Sequence, residues 1–344
     1  MRGNVVVITG SLGLVGSAVA RHFASLGCDT VGIDNGFRST ELGAKVRTAK
    51  NTTKQYAIDI RDREQILGVV AKYSQSILLV AHCAASPSHD WSGKYPAEDF
   101  AINVTGTLNL LEAARLSAPK ASFIFCSSSK VYGDVINAQL FEETTTRLKV
   151  IGKWSDGITE SMQLDGSMHS PYGANKLAAD VLVQEYGHYY GLRTVCFRPN
   201  CITGPDHAGV PLHGFLSYLM KCAATGTQYE VHGYKGKQVR DNFHADDLVA
   251  AMQGWLDQDG PNAEAYNIGG GSYANCSILE AIEIAQRVAG RKMNYTILDQ
   301  PRRGDHKWWI TNYRKLNLLL PNWKPSRTID QLCQEIYDAN RGHW

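Results

Sequence analysis

Short apolar runs rich in β-branched residues alternate along this chain with longer stretches whose apolar positions recur every three or four residues. Val5–Thr9, Thr30–Asp34, Gln55–Asp59, Ile77–Ala81, Ser122–Ser127 and Thr194–Phe197 have the length and make-up of buried strands. Between them the spacing predicts helices over Gly13–Ser25, Arg63–Tyr73, Ala97–Leu116 and Tyr172–Tyr190. Strands alternating with helices imply an α/β fold, a doubly wound parallel sheet covered on both faces. From Gly204 the pattern loosens. Helices are expected at Leu212–Ala224, Ala245–Leu256 and Ser277–Ala289, with short strands at Tyr229–His232 and Asn294–Leu298. This second part reads as a smaller interleaved α/β cap. The expected division gives residues 1–200 to the sheet domain, with part of 234–275 returning to it, and most of 201–344 to the cap.

Composition narrows the function classes. The 344 residues are 44% hydrophobic and 20% charged, as in an ordinary globular protein. The 35 Lys and Arg against 33 Asp and Glu leave a net charge of +2, with no basic run that would suit nucleic acid. No apolar stretch reaches the roughly 18 residues that span a bilayer, so no membrane is expected as a partner. Met1–Asn4 runs straight into the first strand without a leader-like segment. Eight scattered cysteines contain no Cys-x-x-Cys pair, which fits free thiols packed as small hydrophobes. The expected setting is the cytoplasm.

The first strand ends in Gly10-Ser11-Leu12-Gly13-Leu14-Val15-Gly16, and a helix opens there. Glycines let backbone approach a pyrophosphate, and a helix N-terminus offers free N–H groups and the positive end of its dipole. A glycine triplet alone is a common pattern; its place between strand and helix makes it a Rossmann-like dinucleotide site. Asp34 ends the next strand, placed to accept hydrogen bonds from a ribose 2′-hydroxyl. A carboxylate there favours NAD over NADP, although Arg38 stands close by. Asp59-Ile60 closes the third strand, where the pair would cover an adenine. Turn chemistry after a strand is the competing explanation for both acids.

Tyr172 and Lys176 stand four residues apart on one helical face. At ~4 Å and an effective dielectric of ~20, an ammonium would favour the phenolate by about 4 kcal/mol as an upper estimate. The tyrosine would then serve as a base near neutral pH. The strand Ser122–Ser127 runs out into Ser127-Ser128-Ser129-Lys130-Val131-Tyr132-Gly133, at the sheet edge where α/β proteins bind ligands. A hydroxyl there can bond a substrate's reacting oxygen. A serine-rich turn explains Ser127 and Ser129 better than Ser128.

Together, the glycine loop, the acid after the second strand, the serine strand end and Tyr-x-x-x-Lys resemble the extended short-chain dehydrogenase/reductase superfamily, over nearly the whole chain. That resemblance implies NAD as cofactor, with Tyr172 as base, Lys176 holding the nicotinamide ribose and Ser128 assisting. It also implies cofactor contacts from Gly10, Leu12, Gly13, Leu14, Val15, Gly16, Asp34, Asn35, Arg38, Asp59, Ile60 and Ala84, and from Asn103, whose role in such proteins is mainly structural.

The superfamily's 4,6-dehydratases carry Thr-Asp-Glu at the serine strand end. Here Ser128, Ser129 and Lys130 take those positions, so both carboxylates are missing and dehydration is not expected. Gly204-Pro205-Asp206-His207-Ala208-Gly209, Gly233–Asn242, Arg302–Trp309 and Pro321-Asn322-Trp323 resemble the CDP-tyvelose (CDP-paratose) 2-epimerases. Cys201 matches that family too, whereas Pro199-Asn200 replaces its glycine pair. The resemblance implies a CDP-hexose epimerised at carbon 2 by transient oxidation and hydride return. Arg240 and Arg302 would clamp the diphosphate, because guanidinium meets phosphate oxygens bidentately. Ser128, Ser129, Lys130, Asn200, Cys201, His207 and Lys237 complete the candidate substrate contacts. His207 and His213 lack clustered Cys, Asp or Glu partners, so no metal is expected. Trp308 and Trp309 would wall a pocket or fill a core. The resemblance also implies a homodimer, since the helices Ala97–Leu116 and Tyr172–Tyr190 resemble those that pair two subunits in such proteins. The alternatives are a UDP-hexose 4-epimerase using the same machinery and a non-catalytic NAD-binding sensor.

Overall fold

The structure, a computed structural model, describes residues 3–37, 51–211, 214–302 and 304–344. Arg38, His213 and the start of the helix expected at Leu212 lie outside the described residues. The described chain forms two compact units. The first holds Met1–Val131, Pro171–Arg198 and Leu248–Tyr266; the second holds Tyr132–Ser170, Pro199–Asp247 and Asn267–Trp344.

The first unit is built on a seven-stranded sheet. Its strands are β1 (Val5–Thr9), β2 (Asp29–Ile33), β3 (Lys54–Tyr56), β4 (Ile77–His82), β5 (Ser122–Cys126), β6 (Arg193–Pro199) and β7 (Glu264–Ile268). Their order is β7-β6-β5-β4-β1-β2-β3. β1 pairs parallel with β2 on one side and β4 on the other, with Thr9 beside both Ile33 and His82. The chain thus winds outward in both directions from β1, which puts a topological switch point at its carboxyl end. All five residues of β1 are buried, as expected for a strand covered on both faces.

Local chemistry decides the helix ends. Arg63–Tyr73 forms residue for residue as the spacing predicts, with Asp62 capping it by accepting from the Gln65 N–H. The helix expected over Ala97–Leu116 is broken. Pro96–Phe100 leads through a wide π-type turn, Ala101–Thr105, into Gly106–Ser117. At Gly106 a Cβ would come within 2.5 Å of Ile60 Cδ1, so the glycine lets Ile60 lie directly on the helix backbone. A short helix, His89–Lys94, precedes it and was not anticipated. The third strand is shorter than Gln55–Asp59, because Asp59 turns away to hold Arg61. Tyr172–Tyr190 extends back to Ser170.

In the second unit, Val239–His244 pairs with Cys201–Thr203, Asn275–Ser277 and Trp308–Trp309. Tyr229–His232 pairs parallel with Tyr295–Leu298. The helices Phe215–Thr225, Ile278–Ala289 and Ile329–Asn340 close around a core containing Leu219, Met220, Ile282, Leu332 and Ile336. Trp308 and Trp309 are buried, and Trp309 stacks on His306. Among the described residues no helix is long and apolar enough to cross a membrane, and no group of three or more His, Cys, Asp or Glu could hold a metal ion.

Candidate active site

The glycine turn fits backbone where no side chain has room. Gly10 has φ +68° and donates its N–H to Ile33 O at 2.8 Å. A Cβ on it would lie 2.8 Å from the Ala84 nitrogen and 2.9 Å from the Cys83 carbonyl carbon. A Cβ on Gly16 would lie 2.2 Å from Gly10 O, so the helix begins in direct contact with the turn. Gly13 caps the helix Leu14–Ser25 without a side-chain bond, and no acid stands in its first turn. The N-terminus therefore keeps its positive end uncompensated by a carboxylate. Leu12, Gly13, Leu14 and Val15 are only partly covered.

Asp34 accepts from the Leu12 N–H at 3.1 Å and from the Gly36 N–H at 2.8 Å. One carboxylate thus joins the glycine turn to the end of β2 and retains further acceptor capacity. Asn35 donates to Asp59 at 2.8 Å, and Asp59 holds Arg61 through both oxygens. Partial burial raises the Asp59 carboxyl, but the bonds and charge of Arg61 outweigh it and the net shift is downward. Ile60 is buried, with its carbonyl accepting from Asn109. Asn103 is buried and pairs both ends of its amide with the backbone of Ser86.

The three serines after β5 divide their tasks. Ser127 donates to Asp180 at 2.5 Å, and Asp180 also receives both ends of the Arg198 guanidinium. Ser128 is hydrogen-bonded to the Tyr172 phenol, and its Oγ accepts from the Lys130 N–H. Ser129 is buried and Lys130 half-buried. Of the three serines, Ser128 is thus the one shown bonded to the tyrosine.

Lys176 shares a helix face with Tyr172, but its ammonium donates to Cys126 O at 2.8 Å and lies 4.0 Å from the centre of the Phe125 ring. The expected lowering of the phenol by this lysine is not what the chain produces. Burial pushes the Tyr172 phenol up, and the Ser128 bond offsets this only in part. Burial also pushes the Lys176 ammonium down. In both groups desolvation is the largest cause of the shift.

The sequence reading missed several residues that hold this face. Asn175, inside the Tyr-x-x-x-Lys stretch, donates to Asp99 at 2.8 Å. Asp99 is fully buried, and its carboxyl is pushed up by that burial. Ser92 accepts from the Tyr172 N–H, and His89 meets the Tyr172 ring edge-on at 5.2 Å. The available signal was polar side chains on otherwise apolar helix faces.

The second unit's candidates are mostly engaged within it. Asn200 donates to Asp241 at 2.5 Å, and Asp241 also accepts from the Gly271 and Thr311 N–H groups. Arg240 is buried, ion-paired to Asp305 and bonded to the carbonyls of Val239 and His306. Lys237 donates to Glu143 at 2.9 Å and to Thr144 O at 2.7 Å. Arg302 is half-buried and donates to Pro211 O. His207 and Cys201 are half-buried, and Cys201 opens the strand beside Asn242.

The first unit thus carries a glycine cradle at a sheet switch point and, at the end of β5, a group formed by Ser128, Tyr172 and Lys176. A family model described as "NAD dependent epimerase/dehydratase family" matches residues 6–269, and the chain belongs to that family. A CDP-paratose 2-epimerase of Salmonella typhi is 30% identical over 341 residues, covering 97% of this chain and 98% of its own. A UDP-glucose 4-epimerase of Drosophila melanogaster is 27% identical, covering 96% and 95%. The crystal structure of UDP-glucose 4-epimerase from Brucella ovis in complex with NAD superposes with a TM-score of 0.79, at 26% identity over 97% of this chain and 98% of that one. The cofactor of the family is NAD. The residues here fit it: a cradle that any Cβ at Gly10 would fill, an uncompensated helix N-terminus and a carboxylate with acceptors to spare.

Proposed function

We propose that this chain is an NAD-dependent nucleotide-sugar 2-epimerase, taking CDP-paratose to CDP-tyvelose or acting on a CDP-glucose-type substrate. The observation that carries the reading is the Ser128–Tyr172 hydrogen bond beside the buried Lys176. The similarity to a CDP-paratose 2-epimerase along almost the full length of both chains supports the choice of sugar.

On this reading Gly10, Gly13, Gly16 and the free N–H groups of the helix they open receive the pyrophosphate. Asp34 receives the adenosine ribose, with Asn35, Asp59 and Ile60 toward the adenine. When bound, NAD supplies the carbon that takes a hydride from the sugar and gives it back. Tyr172 accepts the proton of the 2-hydroxyl as the hydride leaves carbon 2, which gives a 2-keto sugar. Ser128 holds the reacting oxygen and its bond favours the phenolate. Tyr172 then returns the proton when the hydride comes back to the opposite face, so no net oxidation remains. Arg240 and Arg302 bind the diphosphate, Arg240 with donors held in place by Asp305. Asn200, Cys201, His207, Ser129 and Lys130 would shape the sugar site. Lys237 is committed to Glu143 and Thr144 and contributes less.

Leu108, Leu116, Val181, Tyr189 and Tyr190 are exposed on the helices Gly106–Ser117 and Ser170–Tyr190, which supports the expected homodimer. A single protomer mass in light scattering would refute it. The eight free thiols suit a cytoplasmic setting.

The test is product analysis by NMR with CDP-paratose, CDP-glucose and UDP-glucose supplied side by side. Inversion at carbon 2 of a CDP sugar is expected, with deuterium placed at that carbon retained. Release of the label to water would defeat hydride return. Inversion at carbon 4 of the UDP sugar would establish instead the second reading, which rests on the Drosophila relative.

A further inference from the structure

His82 is the one polar side chain of β4, fully buried at the carboxyl end of the strand. Its Nδ1 lies 2.7 Å from Thr9 Oγ1, and its Nε2 lies 2.9 Å from Thr107 Oγ1. Thr107 has a single proton and gives it to Asn103 O at 2.7 Å. It can therefore only accept from His82, so Nε2 carries the hydrogen. Burial, and secondarily the Lys176 charge, push the imidazole down to about 3, so it is neutral near pH 7 and Nδ1 is bare. Thr9 must then donate its proton to Nδ1, which leaves Thr9 Oγ1 as the acceptor for the Ala84 N–H at 3.2 Å.

The direction of every bond is thereby set, from the Ala84 amide through Thr9, His82 and Thr107 to Asn103. Asn103 continues it, clasping Ser86 on both sides. Ala84 is the residue that a Cβ on Gly10 would strike. Thr9 is the last residue of β1 before the glycine turn. The relay joins the floor of the cradle to the helix turn that carries Asn103.

We propose that His82, as the neutral Nε2–H tautomer held between Thr9 and Thr107, is a positioning residue for NAD that fixes the Ala84–Gly10 approach. It acts through Thr9 and Ala84 and does not touch the reacting atoms. The inference rests on the family's use of NAD and is independent of which sugar is the substrate.

Two measurements test it on the full-length protein. Nitrogen-15 NMR of labelled imidazole should show His82 with a protonated Nε2 and a bare Nδ1 near pH 7. The opposite tautomer, or an imidazolium, overturns the proposal. Calorimetric titration of NAD⁺ into cofactor-stripped protein should show binding weakened about tenfold in Thr9→Val, which keeps the shape but loses the relay. Thr9→Ser keeps the hydroxyl and should bind within about twofold of the parent. A purely structural role would lower the melting temperature of both variants and leave NAD⁺ affinity unchanged in each, and that result also overturns the proposal. Substitution of His82 itself is not needed for either arm, so a failure of that variant to fold leaves the test intact.

Discussion

The ammonium of Lys176 is bonded to the carbonyl of Cys126, 2.8 Å away, at the end of the strand that delivers Ser128. A long, charged side chain buried at this point costs free energy unless its hydrogen bonds are satisfied. Lys176→Met removes the charge and keeps the length. Turnover should fall by about two to four orders of magnitude, as when a group supporting proton transfer is lost. The unfolding midpoint in urea should hold or rise, because a desolvated charge has been removed. A variant with near-parental turnover would mean that the lysine only fills space.

Tyr172→Phe should likewise lose about two to four orders of magnitude in turnover, with NAD still bound. Burial raises the phenol in the protein, so its basic form is scarce at neutral pH. Turnover of the parent should therefore climb as pH rises, because more of the phenol is deprotonated. Ser128→Ala removes a hydrogen bond that favours the phenolate and should move that rise to still higher pH. A pH profile unchanged in Ser128→Ala would remove Ser128 from the proton transfer.

How much of this was legible in the sequence differs by element. The helix Arg63–Tyr73 was readable to the residue because a cap, an acidic first turn and a regular apolar spacing agree there. The break at Ala101–Thr105 was not, because the apolar period runs on through it. Within that turn Asn103 clasps the backbone of Ser86, 17 residues away, a pairing that no local spacing announces. The same limit applied at the site. Tyr172, Lys176 and Ser128 were marked by spacing and by the end of a strand. Ser127 and Ser128 are chemically identical neighbours, and only the fold gives one to Asp180 and the other to Tyr172. His82 was hidden by its surroundings, since a histidine at the end of an apolar run looks like strand filler until both ring nitrogens acquire partners.

Asp180 and Arg198 form an ion pair at 2.7 Å with side chains 0% and 4% exposed. Ser127 and Gln184 add hydrogen bonds to the same carboxylate. Asp180→Asn leaves the guanidinium buried without its counter-charge, and the loss of stability should be about 3–5 kcal/mol in urea unfolding. Changing both partners, Asp180→Leu with Arg198→Met, should cost less than the single change, because no charge is then stranded. A double variant as damaged as the sum of two single ones would show that the pair is not coupled.

Gly10→Ala tests the cradle by geometry alone. At φ +68° an alanine is strained, and its Cβ would sit 2.8 Å from the Ala84 nitrogen. The clash is with backbone on both sides, so neither can move without shifting β1 or β4. Protein that folds should emerge from purification without NAD and bind it at least about tenfold more weakly, a cost of about 1.4 kcal/mol. NAD content equal to the parent's would show that the turn relaxes.

The buried imidazole of His82 also makes a prediction about pH and stability. In an unfolded chain a histidine titrates near 6.5, whereas in the folded protein burial lowers this one to about 3. Between those values the unfolded chain binds a proton that the folded one refuses. Stability must then rise with pH across the window, by up to about 1.4 kcal/mol per pH unit. The contribution is complete above about pH 6.5 and is lost progressively as pH falls toward 3. Replacing His82 with Gln keeps an amide donor and acceptor but removes the titration. Urea unfolding at about pH 7.5 and about pH 5 should show the parent losing more stability on acidification than His82→Gln, by about 2 kcal/mol. Every other titrating group is common to the two proteins, so the difference isolates this residue. Equal losses in the two proteins would mean that the imidazole accepts its proton in the folded state as readily as in the unfolded one, and the bond direction derived for Thr9 would then have to be reversed, because a charged ring donates from both nitrogens.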